Sequence, residues 1–477
     1  MFFRMVYDDR LAQAAYIIGC QRTGEAIVID PERDVDRYEQ VARDNGLRIT
    51  AAAETHIHAD FLSGARELAE KGARVYLSDE GGADWKYQWP AAAPQNQGLA
   101  KYDVRLIKDG DTFLVGNIEV KAVHTPGHTP EHLCFMVTDR GGGADEPLGV
   151  VTGDFVFVGD VGRPDLLESA AGHGGNAASS ARRLFRSVLQ FQQWPDYLQL
   201  WPGHGAGSAC GKALGAVPQS TVGYEKRFNS AVKAATSEDA FAGEILAGQP
   251  EPPLYFARMK RDNKAGPRVL GGVPHPHELT PHELRALNPR KAAIIDTRPW
   301  AEFRAGHTPG ALSFPMTRSF NTDAGSMVSE DEPIYLIIEP ARLDEAVRDL
   351  IRVGLDRIEG WFDAGRIADR QRFGGSVEET REVSADEARR WVKSGEPFVL
   401  DVRRASEFAE GHIDNAANIA HTRLLSRLDE VPRDRPVLVH CRSGARSARA
   451  AALLQRHGYS VTNLAGGYLA WESGAKA

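Results

Sequence analysis

Short runs rich in β-branched and aliphatic residues recur through the first half of the chain: "AIVID", "RITAAAE", "RVYL", "IEVKAV", "LCFMV" and "LGVVTGD". Helical stretches such as "SGARELAEK" separate the earlier runs. The last three runs follow one another closely, which predicts neighbouring strands joined by turns, with "DRGGGADEP" as a hairpin loop. After about Gly248 the pattern lapses. Residues 249–276 are rich in Pro and Gly without a sustained period and read as a linker, and His275 and His277 in "PHPHEL" as solvated residues.

Beyond that stretch the chain repeats itself. "AIIDTRPWAEFRAGHTPGAL" (293–312) matches "FVLDVRRASEFAEGHIDNAANI" (398–419), aligning Asp296 with Asp401, Glu302 with Glu407, and Gly306-His307 with Gly411-His412. "PIYLII" then matches "PVLVHC", each followed by a helical pattern and a glycine, Gly354 or Gly458. Each copy alternates strand and helix, as a small α/β domain with a mainly parallel sheet does. The expected layout is a large domain over 1–248, a linker over 249–276, a first copy over 277–368 and a second over 382–477, divided by "ADRQRFGGSVEETREVS". At 477 residues the chain exceeds the roughly 250–300 residues that one core can serve, which agrees with several domains.

Composition narrows the class. A net charge of −8 lacks the basic footprint of a nucleic-acid binder. No run approaches the roughly 18 apolar residues of a membrane span, and Asp8 and Asp9 interrupt any secretory signal core, so a cytoplasmic location is expected. The four cysteines, Cys20, Cys134, Cys210 and Cys441, are too scattered for a disulfide framework or a zinc ribbon and read as free thiols. Cys20 and Cys134 lie in apolar runs and read as inert core.

Candidate metal ligands concentrate in four segments of the first domain: "THIHAD" (His56, His58, Asp60), "HTPGHTPEH" (His124, His128, His132), "TGDFVFVGD" (Asp154, Asp160) and "WPGHG" (His204). Each ends an apolar run or occupies the turn after it, where sheet-based sites gather their residues. A lone histidine is commonly just a satisfied polar group; four such segments in one domain point to a metal. Imidazole and carboxylate without thiolate suit zinc, or ferrous iron in a two-histidine, one-carboxylate arrangement with open positions.

These segments resemble the metallo-β-lactamase fold, and within it the glyoxalase II type, a four-layer αββα sandwich with its site at one edge. The fold class expected is therefore α/β and α+β. In binuclear hydrolases of that fold, Asp and then His in the first segment serve a second metal. Here Phe61 follows Asp60 and cannot ligate, which favours a single metal. The closer resemblance is to the persulfide dioxygenases, through "ETHIHADFLSG", "PGHTP" and "GDFVFVGDVGRPD". It implies mononuclear Fe(II), with Zn as the alternative, held by His56, His128 and Asp154. His58, Asp60 and His204 would then orient ligands or handle protons, and Arg163 and Asp165 would form a polar pair nearby. That family commonly has histidine where Phe61 stands. Cys210, a few residues past His204, reads either as buried filler or as a sulfur relay.

In "PVLVHCRSGARSARAAALL" a buried strand runs through a short loop into a helix. A cysteine there meets unpaired backbone N–H groups and the positive end of the helix dipole, which stabilise an anionic sulfur; Arg442 and Arg446 add charge. The segment resembles the rhodanese sulfurtransferases, whose six-residue loop, here Cys441, Arg442, Ser443, Gly444, Ala445 and Arg446, cradles a cysteine persulfide. In the first copy Ile338, Glu339 and Pro340 replace the start of the loop, so that copy lacks the nucleophile and reads as structural.

Together these resemblances imply oxidation of a low-molecular-weight persulfide by O2 to sulfite and thiol, coupled to sulfur transfer through Cys441 to or from thiosulfate. The partners are then small molecules, with neither nucleic acid nor membrane. A homo-oligomer stays open, because the middle copy serves either to hold the two sites apart or to bring two chains together. The alternatives are a zinc thioester hydrolase fused to a sulfurtransferase, and a non-catalytic sulfur carrier or redox sensor.

Overall fold

The computed structural model describes residues 1–90, 101–166, 177–208, 210–212, 214–249, 251–367 and 376–474. It divides into two units, one of Met1–Pro252 with Phe256–Gly272, the other of Pro253–Tyr255 with Val273–Ala477.

Unit one carries two six-stranded sheets whose strands follow chain order. The first comprises β1 (Phe2–Asp8), β2 (Gln13–Cys20), β3 (Glu25–Ile29), β4 (Arg48–Ala53), β5 (Arg74–Ser78) and β6 (Val104–Ile107). The second comprises β7 (Thr112–Val115), β8 (Ile118–His124), β9 (Leu133–Asp139), β10 (Gly149–Gly153), β11 (Gln199–Pro202) and β12 (Ser220–Thr221). Strand β2 shows why they stack. Its Ala14, Tyr16, Ile18 and Cys20 enter the core between the sheets, while Ala15 and Ile17 pack with residues of the helices Asp36–Asp44 and Ala65–Glu70. A period of two thus serves two cores from one strand. The helix Ala177–Phe191 buries Ala181, Leu184, Phe185, Val188 and Phe191, at helical spacing, in a core shared with the second sheet. The result is the four-layer αββα sandwich of the metallo-β-lactamase fold. Strands β8, β9 and β10 are antiparallel neighbours, as their close spacing predicted.

The stretch read as a linker is a different matter. It contains the helix Phe256–Ala265, which buries Phe256, Met259 and Asn263. The Asn263 side chain donates to the carbonyls of His58 (2.9 Å) and Phe61 (2.7 Å) and accepts the Ser63 N–H (2.9 Å). Arg66 then donates to the carbonyls of Gly266 and Pro267, both at 2.9 Å, and Glu67 accepts the N–H groups of Leu270 (2.5 Å) and Gly271 (3.2 Å). Residues 256–272 are therefore a strap on the first unit. Its anchors are far away in the chain, so no local periodicity announced it.

Unit two holds two parallel five-stranded sheets of one topology. β13 (His277–Glu278), β14 (Ala293–Asp296), β15 (Leu312–Ser313), β16 (Ile334–Ile338) and β17 (Ile358–Asp363) lie in the order β13-β17-β16-β14-β15. β18 (Arg381–Val383), β19 (Phe398–Asp401), β20 (Ala417–Asn418), β21 (Val437–His440) and β22 (Val461–Leu464) repeat it as β18-β22-β21-β19-β20. The aligned Asp and Gly-His residues do equivalent work. Arg298 pairs with Asp296 and reaches the Gly306 carbonyl (3.0 Å), and Arg403 pairs with Asp401 and reaches that of Gly411 (2.7 Å). His307 and His412 stack on Phe303 and Phe408, each at 3.9 Å. Residues 368–375 of the expected divider lie outside the described residues.

If the strap supports the loop that carries His56 to Asp60, a chain ending at Gly248 should bind divalent metal about tenfold or more weakly than one ending at Gly272. Chelator competition measures this. Equal affinities would show that the strap is dispensable to the site.

Candidate metal centre and thiol loop

Four strand ends of unit one converge. His56 follows β4, His128 lies between β8 and β9, Asp154 follows β10 and His204 follows β11, and all four are buried. The Nε2 atoms of His128 and His56 lie 3.5 and 4.0 Å from Asp154 Oδ2, while His204 Nε2 lies 3.4 Å from Oδ1. One carboxylate thus faces two donor groups. Ligand atoms of His56, His128 and Asp154 lie within 4.8 Å of one another, and so do those of Asp60, His204 and Cys210.

The second nitrogen of each ring aims the first. His56 Nδ1 donates to the Thr55 hydroxyl (2.9 Å), which itself donates to Asp30 (2.9 Å). His128 Nδ1 donates to the Arg163 carbonyl (3.0 Å) and His204 Nδ1 to that of Ala12 (3.1 Å). These bonds leave Nε2 of each ring facing Asp154. His132 differs, because its Nε2 accepts the Asp154 N–H (3.1 Å) and its Nδ1 bonds Thr125 (2.9 Å). With both nitrogens engaged it is no ligand. His58 turns Nε2 to Asp30 (3.1 Å) and packs its ring on Phe61 at 4.4 Å.

Electrostatics separate the roles. Burial holds the imidazoles of His56 and His128 below their usual range, so both are neutral. Burial works against the Asp154 charge as well, but His204, whose own range is raised, outweighs it and keeps that carboxyl well below the ordinary range. His58 rises to about 9, because Asp30 overcomes the effect of burial. Both Asp154 oxygens, Asp60 Oδ2 and His204 Nε2 lack a hydrogen-bond partner among the described residues. A buried carboxylate left so costs several kcal/mol or more. Two neutral imidazoles facing an ionised carboxylate whose Oδ2 accepts no hydrogen bond fit a divalent cation.

Phe61 is fully buried. Arg163 is buried too, its Nε and Nη2 on Asp165 at 3.1 and 2.6 Å, while its carbonyl holds His128; the expected polar pair thus meets the site through the backbone. Burial pushes the Cys210 and Cys134 thiols up to about 12. Cys20 lies in the core as expected but is not inert: against the effect of burial, the Thr23 side chain and the backbone of Asn117, Thr23 and Arg22 draw its thiol down to about 7.

Reasoning from sequence left out the bracing groups. Asp30 ends "AIVID" with φ +52° and receives the Thr55 N–H and hydroxyl. Glu54 accepts from Ser63 (2.5 Å) and Tyr87 (3.1 Å), and Glu131 accepts the Ile57 N–H (2.8 Å). An acidic residue closing an apolar strand was the available signal for Asp30.

In unit two, Cys441 lies between β21 and the helix Ala445–Arg456. The Gly444 N–H donates to Sγ at 3.2 Å and the Ser447 hydroxyl at 3.6 Å. Gly444 has φ +100°, a conformation that favours glycine and turns its N–H inward. Arg442 and Ser443 are exposed. Arg446 does not stand free as a positive charge: Glu407, singled out by the repeat, grips it at 2.6 and 2.8 Å. In the other copy the fully buried Ile338 ends β16, and Pro340 offers no N–H.

Comparison with known proteins agrees with this architecture. Residues 8–190 match the Metallo-beta-lactamase superfamily and residues 384–474 the Rhodanese-like domain family. The crystal structure of a metallo-beta-lactamase from Staphylococcus aureus is 40% identical, with a TM-score of 0.67, covering 76% of this chain and 98% of that one. Persulfide dioxygenase ETHE1 of Bos taurus is 26% identical over 36% of this chain and 59% of its own length. A hydroxyacylglutathione hydrolase of Polaromonas is 29% identical over 40% of this chain and 60% of its own. Because the Staphylococcus relative is matched over nearly its whole length and the loop around Cys441 falls inside the second matched family, the chain belongs to the metallo-beta-lactamase superfamily, as a fusion with a C-terminal rhodanese-like domain.

Proposed function

We propose that the first domain oxidises a low-molecular-weight persulfide with O2 and that Cys441 carries sulfane sulfur to or from the product. The reaction balances as RSSH + O2 + H2O giving RSH, sulfite and two protons. The observation that carries the reading is the Asp154 carboxylate, with Oδ2 unpartnered beside two neutral imidazoles, while Phe61 denies the neighbouring position a histidine. His56, His128 and Asp154 would hold a single Fe(II), which supplies the redox chemistry that lets O2 react with sulfur. The similarity to persulfide dioxygenase ETHE1 supports this choice.

The chain's own groups do the rest. Thr55, the Arg163 carbonyl and the Ala12 carbonyl fix three imidazoles, so that the facing nitrogens are set before a ligand arrives. His204, raised well above its usual range by Asp154 and Asp60 against the effect of burial, holds a proton at Nε2 beside the carboxylates. That proton suits an anionic sulfur or oxygen approaching the site. At the second site the Gly444 N–H and Ser447 hydroxyl steady the Cys441 sulfur, whose persulfide attacked by sulfite gives thiosulfate and the free thiolate.

One observation favours a second reading, a binuclear thioester hydrolase: Asp154 Oδ1 faces the Asp60–His204–Cys210 group, which offers donors for another ion. The similarity to a hydroxyacylglutathione hydrolase points the same way.

Protein reconstituted anaerobically with Fe(II) should consume equimolar O2 with glutathione persulfide and form sulfite, read by an oxygen electrode and sulfite assay. Protein that keeps zinc, takes up no O2 and cleaves S-lactoylglutathione would instead establish the hydrolase. The two chemistries should also separate by mutation. Asp154→Asn is expected to lower O2 uptake about 100-fold or more with loss of iron while sparing thiosulfate sulfurtransfer. Cys441→Ser should do the reverse, and loss of both activities in either variant would argue against independent sites.

A further inference from the structure

The cysteine-less repeat contributes a charged residue to the surroundings of the other repeat's loop. Its helix Phe320–Met327 buries a polar set, including Asn321, Asp323 and Ser326. Asp323 is wholly buried. Its Oδ2 receives Arg449 Nε at 2.5 Å and the Ser319 hydroxyl at 2.8 Å, and its Oδ1 lies 3.3 Å from His421 Nε2. Arg449 and His421 both belong to the second repeat, the one with Cys441. Burial alone would raise the Asp323 carboxyl; His421, Arg449 and Ser319 together hold it below the ordinary range.

Arg449 lies on the helix that starts immediately after Gly444. Gripped by Asp323 at Nε, it donates from Nη1 to the Ala445 carbonyl at 2.7 Å and from Nη2 to Thr317 at 3.1 Å. Ala445 adjoins Gly444, whose N–H points at the Cys441 sulfur. His421, for its part, donates its backbone N–H to the Val402 carbonyl (3.1 Å), beside the buried Asp401–Arg403 pair. A planar guanidinium bound at three places has little rotational freedom.

We propose that Asp323 of the cysteine-less repeat is a positioning residue for the sulfurtransfer site of the other repeat, acting through Arg449 on the first turn of the helix that closes the Cys441 loop. The proposal rests on the reading of Cys441 as the sulfur carrier. The degenerate copy then acts directionally, setting the loop N–H groups at the distance an anionic sulfur requires. A merely cohesive interface would be served as well by well-packed apolar residues, which commonly match or exceed a buried ion pair in stability.

The test uses the full chain with thiosulfate and cyanide, separating kcat from KM, and follows Cys441 alkylation by peptide mass spectrometry. Arg449→Lys keeps a cation for Asp323 but loses the fork to Ala445; Asp323→Asn keeps the shape and removes the charge. Both should lower kcat about tenfold with KM nearly unchanged, and both should slow Cys441 alkylation, as expected for losing a charged hydrogen bond. Arg449→Lys should do so without lowering Tm, which keeps the proposal testable should Asp323→Asn fold poorly. Wild-type kcat and alkylation in Arg449→Lys, or a lowered Tm in Asp323→Asn with kcat intact, would overturn the positioning role. Sulfurtransfer surviving in Cys441→Ser would instead remove the underlying reading.

Discussion

A buried carboxylate with one oxygen, Oδ2, that accepts no hydrogen bond is the constraint around which the first unit is organised. Asp154 ends a central strand, and its two oxygens face histidines from three other strand ends. Such a group tolerates little displacement, since each lost interaction leaves charge stranded in a low-dielectric interior. Backbone must also come close on every side. A Cβ on Gly162 would lie 1.8 Å from the Asp154 carbonyl oxygen, and one on Gly203 would lie 2.8 Å from Oδ1. Glycine at these positions is a condition of the site's geometry.

Around that centre the supports form tiers. Threonine and backbone carbonyls aim the imidazoles; Asp30 holds Thr55 and His58; Glu54, Glu131 and Asn263 hold the loop that carries them. The outermost tier comes from the strap after the sandwich, so the metal loop is braced from both ends of the unit's sequence. Rigidity here comes from polar contacts to backbone, which specify direction as apolar packing does not.

The two repeats show how one topology diverges in use. Both keep the Asp–Arg pair, the Phe–His stack and the same strand order, all of which serve the fold. They differ where a strand meets a helix. One has Cys441 and a left-handed Gly444 that turns an N–H onto sulfur; the other has Ile338 and Pro340, an apolar plug and a residue without a donor. The first copy also keeps a buried carboxylate, Asp323, aimed at its neighbour.

Much of this was legible beforehand, because local pattern encodes it. Strand runs, the hairpin, the repeat with its aligned Asp, Glu and Gly-His positions, the histidine segments and the loop at Cys441 all depend on residues close in sequence. The strap was misread for the converse reason: Pro and Gly dominate its composition, and its anchors, Arg66, Glu67 and the loop at His58 to Ser63, lie far away in the chain. Likewise nothing local marks Asp323 as the partner of Arg449, or Glu407 as the residue that takes Arg446. His132 stood in plain view, yet only its two hydrogen bonds show that it is no ligand. By itself, then, the sequence determined the elements, their order and the chemical types available to each site, since backbone propensity and apolar periodicity act over a few residues. Which donors face a shared point, and which charges must be paired because they are buried, was decided only when distant strand ends and helices packed together and excluded water.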